Sequence, residues 1–439
     1  MNFIHASDFH LGYAQYGLSE RFRDYARAFH SVITYAIDNK TDFILISGDL
    51  FHKRNINAPT YEQAYKVLSL LRQKSPSTAV YAIEGNHDLA FHQDGKSWLQ
   101  ILDSQSLLKL IRLKEANGAK LMGDFVELDN ARIFGVRYLG SGTVSIIPRI
   151  ADEIKKINAE QGEKYTILMM HFGMEGQIRQ EASGEIPYNS LLPLKEVVDY
   201  LALGHYHIQY ELDDWIFNPG SVEMIAMSEY GLSKGFYHIN QSDRKLITPL
   251  TRPVRRIKLD ISSIKIPAEL YTRIESKLDR EQIIRSDMSP LIELVLYGEM
   301  NFPKSEVNID RIKDMLADRF KPLWSEVKII RSNLQYTINE GDVRGLTREQ
   351  IELRVFSDQV KLDGRYQDNV EEIVKTMIEV KKMAAAGIEE TAIQKELRWC
   401  FEKMKTSLSD NRDKKEVKNQ VKNQEPNTRQ TLLSHMGDI

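Results

Sequence analysis

The stretch LISGDLFHKRN, residues 45–55, decides the fold class of this chain. An apolar run ends at Gly48 and Asp49, and His52 follows three residues later. Loops that leave the carboxyl ends of strands in a layered α/β sheet converge in one crevice, where residues distant in sequence become neighbours. A carboxylate and an imidazole at such a position indicate a site for a metal ion or for catalysis.

Four other short apolar runs end in the same way. NFIHAS leads to Asp8, AVYAIEG to Asn86, YTILMM to His171 and YLALG to His205. The runs are rich in Ile, Leu, Val and Tyr, which is typical of strands. A single histidine at a strand end is more often a hydrogen-bonded structural residue. Five polar strand ends in one chain instead favour a shared metal site.

The pattern along the chain predicts four regions. Short apolar runs alternate with amphipathic stretches over 1–250, which predicts a layered α/β (α+β) domain. A smaller β-α-β-α-β domain is predicted over 251–345, and 346–406 is predicted to be a linker followed by a helical hairpin that begins at 366. Residues 407–439 are charged and rich in amide side chains, which predicts a flexible tail.

Composition excludes several classes of protein. Cys400 is the single cysteine among 439 residues, so a disulfide framework and a cysteine-based zinc site are excluded and a reducing, intracellular location is expected. The N-terminus lacks the apolar core of a signal peptide, and no apolar run is long enough to span a membrane. The net charge of −3 and the pI of about 6.4 are weak evidence against a nucleic-acid partner.

Polar side chains at the five strand ends are the predicted ligands of two ions. The first group is Asp8, His10, Asp49 and His207, and the second is Asp49, Asn86, His171 and His205. Asp49 is predicted to bridge the two ions. Mixed oxygen and nitrogen donors suit manganese, iron or zinc. Two divalent cations beside two carboxylates leave a net positive charge that attracts a phosphate group.

These motifs resemble those of a known family. The order D-x-H, G-D, G-N-H-D, a lone His and G-H-x-H is similar to the signature of the calcineurin-like metallophosphoesterases, and the resemblance covers residues 1–250. It implies a four-layer sandwich with a two-metal site. It leaves the substrate open, because phosphoprotein phosphatases, cyclic-nucleotide phosphodiesterases and nucleases share the motifs.

A narrower resemblance comes from SGDLFHKRN. Phosphoprotein phosphatases carry G-D-x-x-D-R-G at this place, whereas this chain has His52 and no following R-G. Together with NPGSVE at 218–223 and the domain after 250, this is similar to the archaeal type of double-strand-break repair nucleases, the Mre-eleven family, which is SbcD in bacteria. The resemblance implies a capping role for the second domain. It also implies that the C-terminal helices bind an SMC-like coiled-coil ATPase of the Rad-fifty or SbcC type.

The same resemblance implies the activity and the assembly. The chain is expected to be a DNA nuclease with two manganese ions, or alternatively magnesium, iron or zinc, acting as an exonuclease on duplex ends and an endonuclease on single strands at double-strand breaks. A homodimer is expected through the helices predicted at 59–73 and 96–110, and the alternative is that Trp98, Leu102 and Leu107 are ordinary core residues. The expected location is intracellular, cytoplasmic and nucleoid-associated, without a membrane.

Further residues are predicted to act on the substrate. His87 is surplus to the eight ligand places and is predicted to protonate or stabilise the leaving oxygen. His52 is predicted to donate to a phosphate oxygen or to position His87, and Asp88 to be a third catalytic residue. The candidate contacts to DNA are Tyr13, Lys53, Arg54, Arg255 and Arg256.

Two alternatives stay open at this point. One is a phosphomonoesterase or cyclic-nucleotide phosphodiesterase on the same scaffold. The other is a non-enzymatic adaptor that carries the ATPase partner, and the intact ligand set argues against it.

Overall fold

The computed structural model describes most of the chain. The described residues are 1–90, 95–112, 125–178, 185–241, 243–283, 286–300, 302–330, 348–361, 369–385, 388–389, 391–395 and 397–399. Residues 1–331 form one compact unit, and residues 332–439 form a second. The predicted tail at 407–439 lies outside the described residues.

The helices and strands follow each other in mixed order. The strands are β1 Asn2–Ala6, β2 Phe43–Ile46, β3 Ala79–Ala82, β4 Lys109–Leu110, β5 Val126–Glu127, β6 Ala131–Gly135, β7 Tyr165–Met169, β8 Tyr200–Ala202, β9 Tyr210–Leu212, β10 Ile216–Asn218, β11 Phe236–Asn240, β12 Asp243–Ile247, β13 Val254–Asp260, β14 Leu291–Tyr297 and β15 Trp324–Ile330. The helices are α1 Ser19–Asp38, α2 Ala58–Lys74, α3 Trp98–Ser104, α4 Thr143–Gln161, α5 Leu192–Lys195, α6 Pro267–Arg280, α7 Ile309–Phe320, α8 Arg348–Lys361 and α9 Val370–Ala385.

Two six-stranded sheets form the centre of the first unit. Their strand orders are β12-β11-β1-β2-β3-β4 and β5-β6-β7-β8-β10-β9. Strands β1 to β4 are parallel, as are β6, β7, β8 and β10, while the outer strands β11, β12, β5 and β9 pair antiparallel. The carboxyl ends of the parallel strands therefore point to one edge of each sheet, where the polar residues follow.

The sheets pack face to face, with helices on both outer faces. Phe43 and Leu45 of β2 point towards the second sheet and pack with Ile167 of β7, while Ile44 and Ile46 point towards α1 and α2. The second sheet buries its outer face against α4 and α5. Because β2 is covered on both sides, its sequence FILI is apolar at every position. This arrangement is a layered α/β sandwich, as the sequence predicts.

A third sheet follows these layers in the chain. Strands β13, β14 and β15 are parallel, and α6 and α7 connect them, so the predicted β-α-β-α-β order is observed. The sheet rests on the first part of the unit through Leu291, which packs against Met224 and Met227. Arg252 also pairs with buried Asp24 of α1. The domain boundary predicted at 250 stays a prediction, because residues 1–331 make one compact unit.

The second unit is helical where it is described. Helix α9, Val370–Ala385, lies where the first arm of the hairpin is predicted, and it ends at the AAAG segment. Helix α8, Arg348–Lys361, lies in the region predicted to begin as a linker, and Glu352 on it pairs with Lys381 on α9. Helical residues resume over 391–395 and 397–399. The described hairpin therefore begins earlier in the chain than the sequence pattern indicates.

Candidate metal centre

The predicted ligands come together at the carboxyl edges of the two sheets. Each follows a strand: Asp8 and His10 follow β1, Asp49 follows β2, Asn86 follows β3, His171 follows β7, and His205 and His207 follow β8. The first three of these strands belong to one sheet and the last two to the other. The site is thus built where the edges of both sheets meet.

The backbone at this edge is held in an uncommon conformation. Asp8, His10, Asp49 and His205 have φ angles of 55°, 49°, 52° and 95°. Residues other than glycine rarely adopt positive φ, and such strain is typical of functional sites. The turns that present these side chains are therefore maintained by the surrounding fold rather than by local preference.

Close packing explains two glycines beside the ligands. A Cβ atom at Gly85 would lie 2.1 Å from Asp49 Oδ1, and one at Gly48 would lie 2.3 Å from His171 Nδ1. Gly48 also has a φ of 93°. Any side chain at either position would displace a predicted ligand, so the G-D and G-N-H-D motifs require glycine for steric reasons.

The first group of ligand atoms surrounds His10 Nε2. This atom lies 3.1 Å from His207 Nε2, 4.0 Å from Asp8 Oδ1 and 3.9 Å from Asp49 Oδ2. His207 Nε2 lies 3.8 Å from Asp8 Oδ1. Asp8, His10 and His207 are a group that can hold a metal ion.

The second group surrounds His171 Nε2. This atom lies 3.4 Å from Asp49 Oδ2 and 3.2 Å from Asn86 Oδ1, which in turn lies 3.0 Å from His205 Nδ1. Asp49 Oδ2 thus faces His171 on one side and His10 on the other. This is the position that a ligand shared by two ions requires.

The charges of this cluster fit bound cations. Burial lowers the pKa of His171, but the Asp49 and Asp8 carboxylates and the carbonyl of Ser47 together outweigh burial and raise it to about 9. Burial also lowers the pKa of His10, with His207 adding to the effect, and burial raises the pKa of Asp8. Without a metal ion, a proton on His171 thus balances the charge of the buried Asp49 carboxylate, and a bound cation would replace that proton. The residues present therefore fit a dinuclear metal site of oxygen and nitrogen donors.

His52 and His87 lie beside the first group. His52 Nδ1 is 3.3 Å from His10 Nδ1, and the rings of His52 and His87 are stacked with centroids 5.5 Å apart. His87 Nδ1 lies 2.6 Å from the carbonyl oxygen of His52, to which it can donate. Burial, followed by the charge of His87, lowers the pKa of His52 to about 4. The two imidazoles therefore form a half-buried pair next to the predicted ligands.

Asp88 faces away from this pair. Its carboxylate accepts hydrogen bonds from the backbone N–H groups of Leu50, Phe51 and Gly85, at 3.2, 3.0 and 3.1 Å. Burial, together with the nearby Asp49, raises the pKa of Asp88 to about 7. These contacts tie the loop after β2 to the loop after β3. Asp88 thus holds the two loops together, and the catalytic role predicted for it from the sequence stays a prediction.

Two of the predicted DNA contacts are engaged within the chain. Arg255 lies 3.5 Å from the carboxylate of Glu281 and donates to a backbone carbonyl. Arg256 forms an ion pair with buried Glu293 and also donates to the carbonyl of Met227. Their own chain thus supplies acceptors for both guanidinium groups, which does not support the predicted contacts to DNA.

The other three candidates lie around the imidazole pair. Tyr13 is stacked on His52, with ring centroids 3.9 Å apart. Lys53 is exposed, and half-buried Arg54 donates to the carbonyl of Asn86 at 3.2 Å. Tyr13 therefore packs on the His52 ring, Lys53 is the exposed cation of this loop, and contacts of the three residues with DNA stay predictions.

Two residues near the centre were not predicted. The Tyr138 ring lies 5.6 Å from the His205 ring and follows β6 by three residues, so the rule that polar residues follow strands also applies to it. Glu229 accepts from His207 Nδ1 at 2.8 Å. It lies in a short 3₁₀ helix, Met227–Glu229, and belongs to none of the motifs, so the sequence gives no signal for it.

Comparisons with known proteins agree with this site. The calcineurin-like phosphoesterase family matches residues 1–209. The DNA double-strand break repair protein Mre11 of Archaeoglobus fulgidus is 26% identical over 389 residues, which cover 80% of this chain and 84% of that protein. Mre11 of Sulfolobus acidocaldarius is 22% identical over 393 residues, covering 87% of this chain and 93% of that protein. Residues 1–209 therefore belong to the calcineurin-like phosphoesterases, and the chain is a metal-dependent phosphodiesterase that is similar to the archaeal Mre11 proteins along most of its length.

Proposed function

We propose that this chain is a manganese-dependent DNA nuclease that processes double-strand breaks, as an exonuclease on duplex ends and an endonuclease on single strands. The observation that carries the proposal is the pair of stacked imidazoles, His52 and His87, beside the buried donor cluster. Two relatives support DNA as the substrate. Their alignments cover most of this chain, and both are named DNA double-strand break repair proteins.

Two manganese ions per chain are the proposed cofactor, with magnesium, iron or zinc as alternatives. Asp8, His10 and His207 would hold one, Asn86, His171 and His205 the other, and Asp49 both. When bound, such cations offset the charge of the phosphoryl oxygens and supply hydroxide near neutral pH. The protein contributes the shape of the site, since the strained loops fix the donors before the metal arrives.

His52 and His87 act on the substrate in this proposal. His52 has a pKa of about 4 and is therefore neutral near pH 7, so it can donate one hydrogen bond to a phosphate oxygen without acting as an acid. His87 directs Nδ1 at the carbonyl of His52, which leaves Nε2 to face the leaving oxygen. Lys53 would bind the DNA backbone, a contact that depends on salt and not on base sequence.

Substrate preference tests the proposal. The purified chain with Mn²⁺ is expected to degrade labelled linear duplex DNA and to cut single-stranded circles, with little hydrolysis of a phosphomonoester or a cyclic nucleotide. Hydrolysis of the small esters with intact DNA would instead favour the phosphomonoesterase or cyclic-nucleotide phosphodiesterase. An inactive chain that binds the ATPase would favour the adaptor.

The helical unit after residue 331 is the proposed binding site for an SMC-like coiled-coil ATPase of the Rad-fifty type. Removal of residues 332–439 should abolish ATPase binding while manganese-dependent cleavage stays nearly unchanged, because every predicted ligand precedes residue 208 and an apolar helical face suits docking in a groove. The deletion should begin at residue 332, because α8 and α9 belong to the same unit and a later start would separate them. A chain that ends at 406 is the control and should still bind in a pull-down. Binding by the shorter chain would contradict the prediction.

A homodimer is proposed through α2 and α3. The helix predicted at 96–110 is shorter in the structure, and Leu99 and Leu102 are wholly buried in their own chain, so they cannot form the interface. Tyr65 on α2 is 45% exposed. A Tyr65→Asp variant is expected to sediment as a folded monomer, since a charge in the interface would lack a partner. A variant that remains a dimer would exclude this surface.

The proposed substrate implies an intracellular, nucleoid-associated location. Among the described residues, no helix is both long enough and apolar enough to cross a membrane.

A further inference from the structure

A buried carboxylate lies directly behind the ligand atom of one histidine. Glu229 Oε1 is 2.8 Å from His207 Nδ1, on the side of the ring opposite the predicted metal. The other ring nitrogen, Nε2, faces His10 and Asp8. An acceptor at Nδ1 keeps the proton there and leaves the lone pair of Nε2 directed into the cluster.

Glu229 is itself held on its other oxygen. Lys234 Nζ lies 2.6 Å from Glu229 Oε2, and the N–H of Ile225 donates to the same oxygen at 3.0 Å. Lys234 also donates to the carbonyl of His207 at 2.9 Å and to Ser221 Oγ at 2.8 Å. Both oxygens of Glu229 are thus engaged, and the carboxylate cannot turn away from His207.

The hydrogen-bond acceptor behind His207 differs from the groups that contact the other predicted histidine ligands. His171 directs Nδ1 at the carbonyl of Ser47, at 2.7 Å, which is a neutral acceptor. His10 Nδ1 faces His52, whereas His205 directs Nδ1 into the cluster itself, at the predicted ligand Asn86. Within the described part of the chain, His207 is the ring among these four that has a carboxylate as the acceptor behind it. A carboxylate makes the opposite nitrogen a stronger donor than a carbonyl does.

We propose that Glu229 is the positioning residue of His207, held in place by Lys234, and that this pair sets the affinity for the metal ion bound by Asp8, His10 and His207. The inference rests on the dinuclear site of the proposed function. Glu229 touches neither the substrate nor the metal in this scheme and acts through the direction and donor strength of one imidazole.

A buried ion pair can also serve the fold alone, so the test must separate the two roles. Glu223 provides the matched control, because it is a fully buried carboxylate in the same segment, paired with Arg21 at 3.3 Å, and it contacts none of the predicted ligands. Glu229→Gln and Glu223→Gln each remove one buried charge. If Glu229 serves only the fold, both variants should change stability without changing metal binding.

Metal titration of the full chain provides the readout. Mn²⁺ is added to metal-free protein, and binding is followed by calorimetry and by electron paramagnetic resonance, which distinguishes a coupled pair of ions from a single ion. Glu229→Gln is expected to weaken one of the two sites by about 10- to 100-fold, the usual effect of losing such a partner. Glu223→Gln should bind both ions as the unchanged protein does.

A double-mutant cycle assigns the effect to His207. Glu229→Gln should cause no further weakening in a His207→Ala background if it acts through this ring. Lys234→Met is the second variant in case Glu229→Gln does not fold, and it should weaken the same site. Unchanged affinities in both variants, or equal effects with and without His207, would overturn the proposal. If the unchanged protein does not bind two ions, the dinuclear site itself is wrong.

Discussion

Replacing Asp49 by asparagine or alanine is expected to abolish phosphodiester cleavage and to release at least one metal ion. Asp49 Oδ2 faces both His171 and His10, so no neighbouring side chain can take its place. Its other oxygen, Oδ1, accepts from the backbone N–H of His87 at 2.9 Å. Either substitution would therefore remove the charged ligand of both ions, and alanine would also release the loop that carries His87.

Comparing the asparagine and alanine variants separates the effect of the lost charge from the effect of backbone strain. Asp49 has a φ of 52°, which asparagine tolerates better than alanine. The asparagine side chain would keep an acceptor for the His87 N–H, so Asp49→Asn should lose metal with little change of the backbone, whereas Asp49→Ala adds strain. Anomalous scattering at the manganese edge and duplex degradation should be measured on the same preparation. An asparagine variant that keeps both ions and full activity would refute the shared-ligand assignment.

The stability of the metal-free protein should fall together with activity when Asp49 is replaced. Asp8, Asp49 and Asp88 are all buried within one small cluster, and Asp49 contributes to the raised pKa values of Asp8 and Asp88. Burial opposes ionisation of Asp49 as well, but His171 holds the pKa of Asp49 below its usual range, and Asp49 in turn raises the pKa of His171. Removal of the Asp49 charge would therefore leave the buried His171 imidazole without its partner and lower the free energy of unfolding.

The ligand positions could be predicted because they depend on local sequence. Apolar strands such as β2 and β7 can be identified from their composition, and polar residues that follow parallel strands must meet at one edge. Asp49 and His171 are 122 positions apart in sequence, yet the rule brings them within 3.4 Å of each other. Glycine is required at 48 and 85 because the ligand side chains pack closely against the backbone at this edge.

Other features depend on tertiary contacts that the sequence does not contain. Arg256 is basic and close in sequence to other cations, which indicated a contact to DNA, but it pairs with Glu293, a partner on a different strand of the same sheet. Glu229 lies 22 positions from His207 in no motif, and only the packed structure brings the two together. Asp88 follows His87 directly, yet the turn directs it towards backbone N–H groups instead.

Replacing His52 by serine is expected to lower cleavage by about 100-fold or more, the scale of losing one donor in the transition state, while both metal ions remain bound. His52 is the residue that separates this chain from the phosphoprotein phosphatase pattern. It is neutral near pH 7, it is stacked between Tyr13 and His87, and its carbonyl accepts from His87. Serine keeps the backbone carbonyl that accepts from His87, so His87 should stay in place. The loss of cleavage should therefore reflect the missing imidazole of residue 52.

A second possibility is that His52 is itself a ligand. His10, His52 and His87 each place one nitrogen within 4.8 Å of the other two, so these three can also hold a metal ion. Metal content therefore decides between the two roles. Loss of manganese together with activity would make His52 a ligand, whereas cleavage at the unchanged rate would make it structural.

Lys53→Ser is the matched control for His52→Ser. Lys53 is the adjacent residue on the same loop and is exposed, so serine there removes a contact to the DNA backbone without touching the stacked rings. We expect this variant to bind DNA more weakly, with a shallower dependence on salt, and to cleave bound DNA at the unchanged rate. His52→Ser should show the reverse pattern: unchanged binding and a slow chemical step in single-turnover measurements. Equal effects of both substitutions on binding would place His52 among the backbone contacts and remove it from the chemistry.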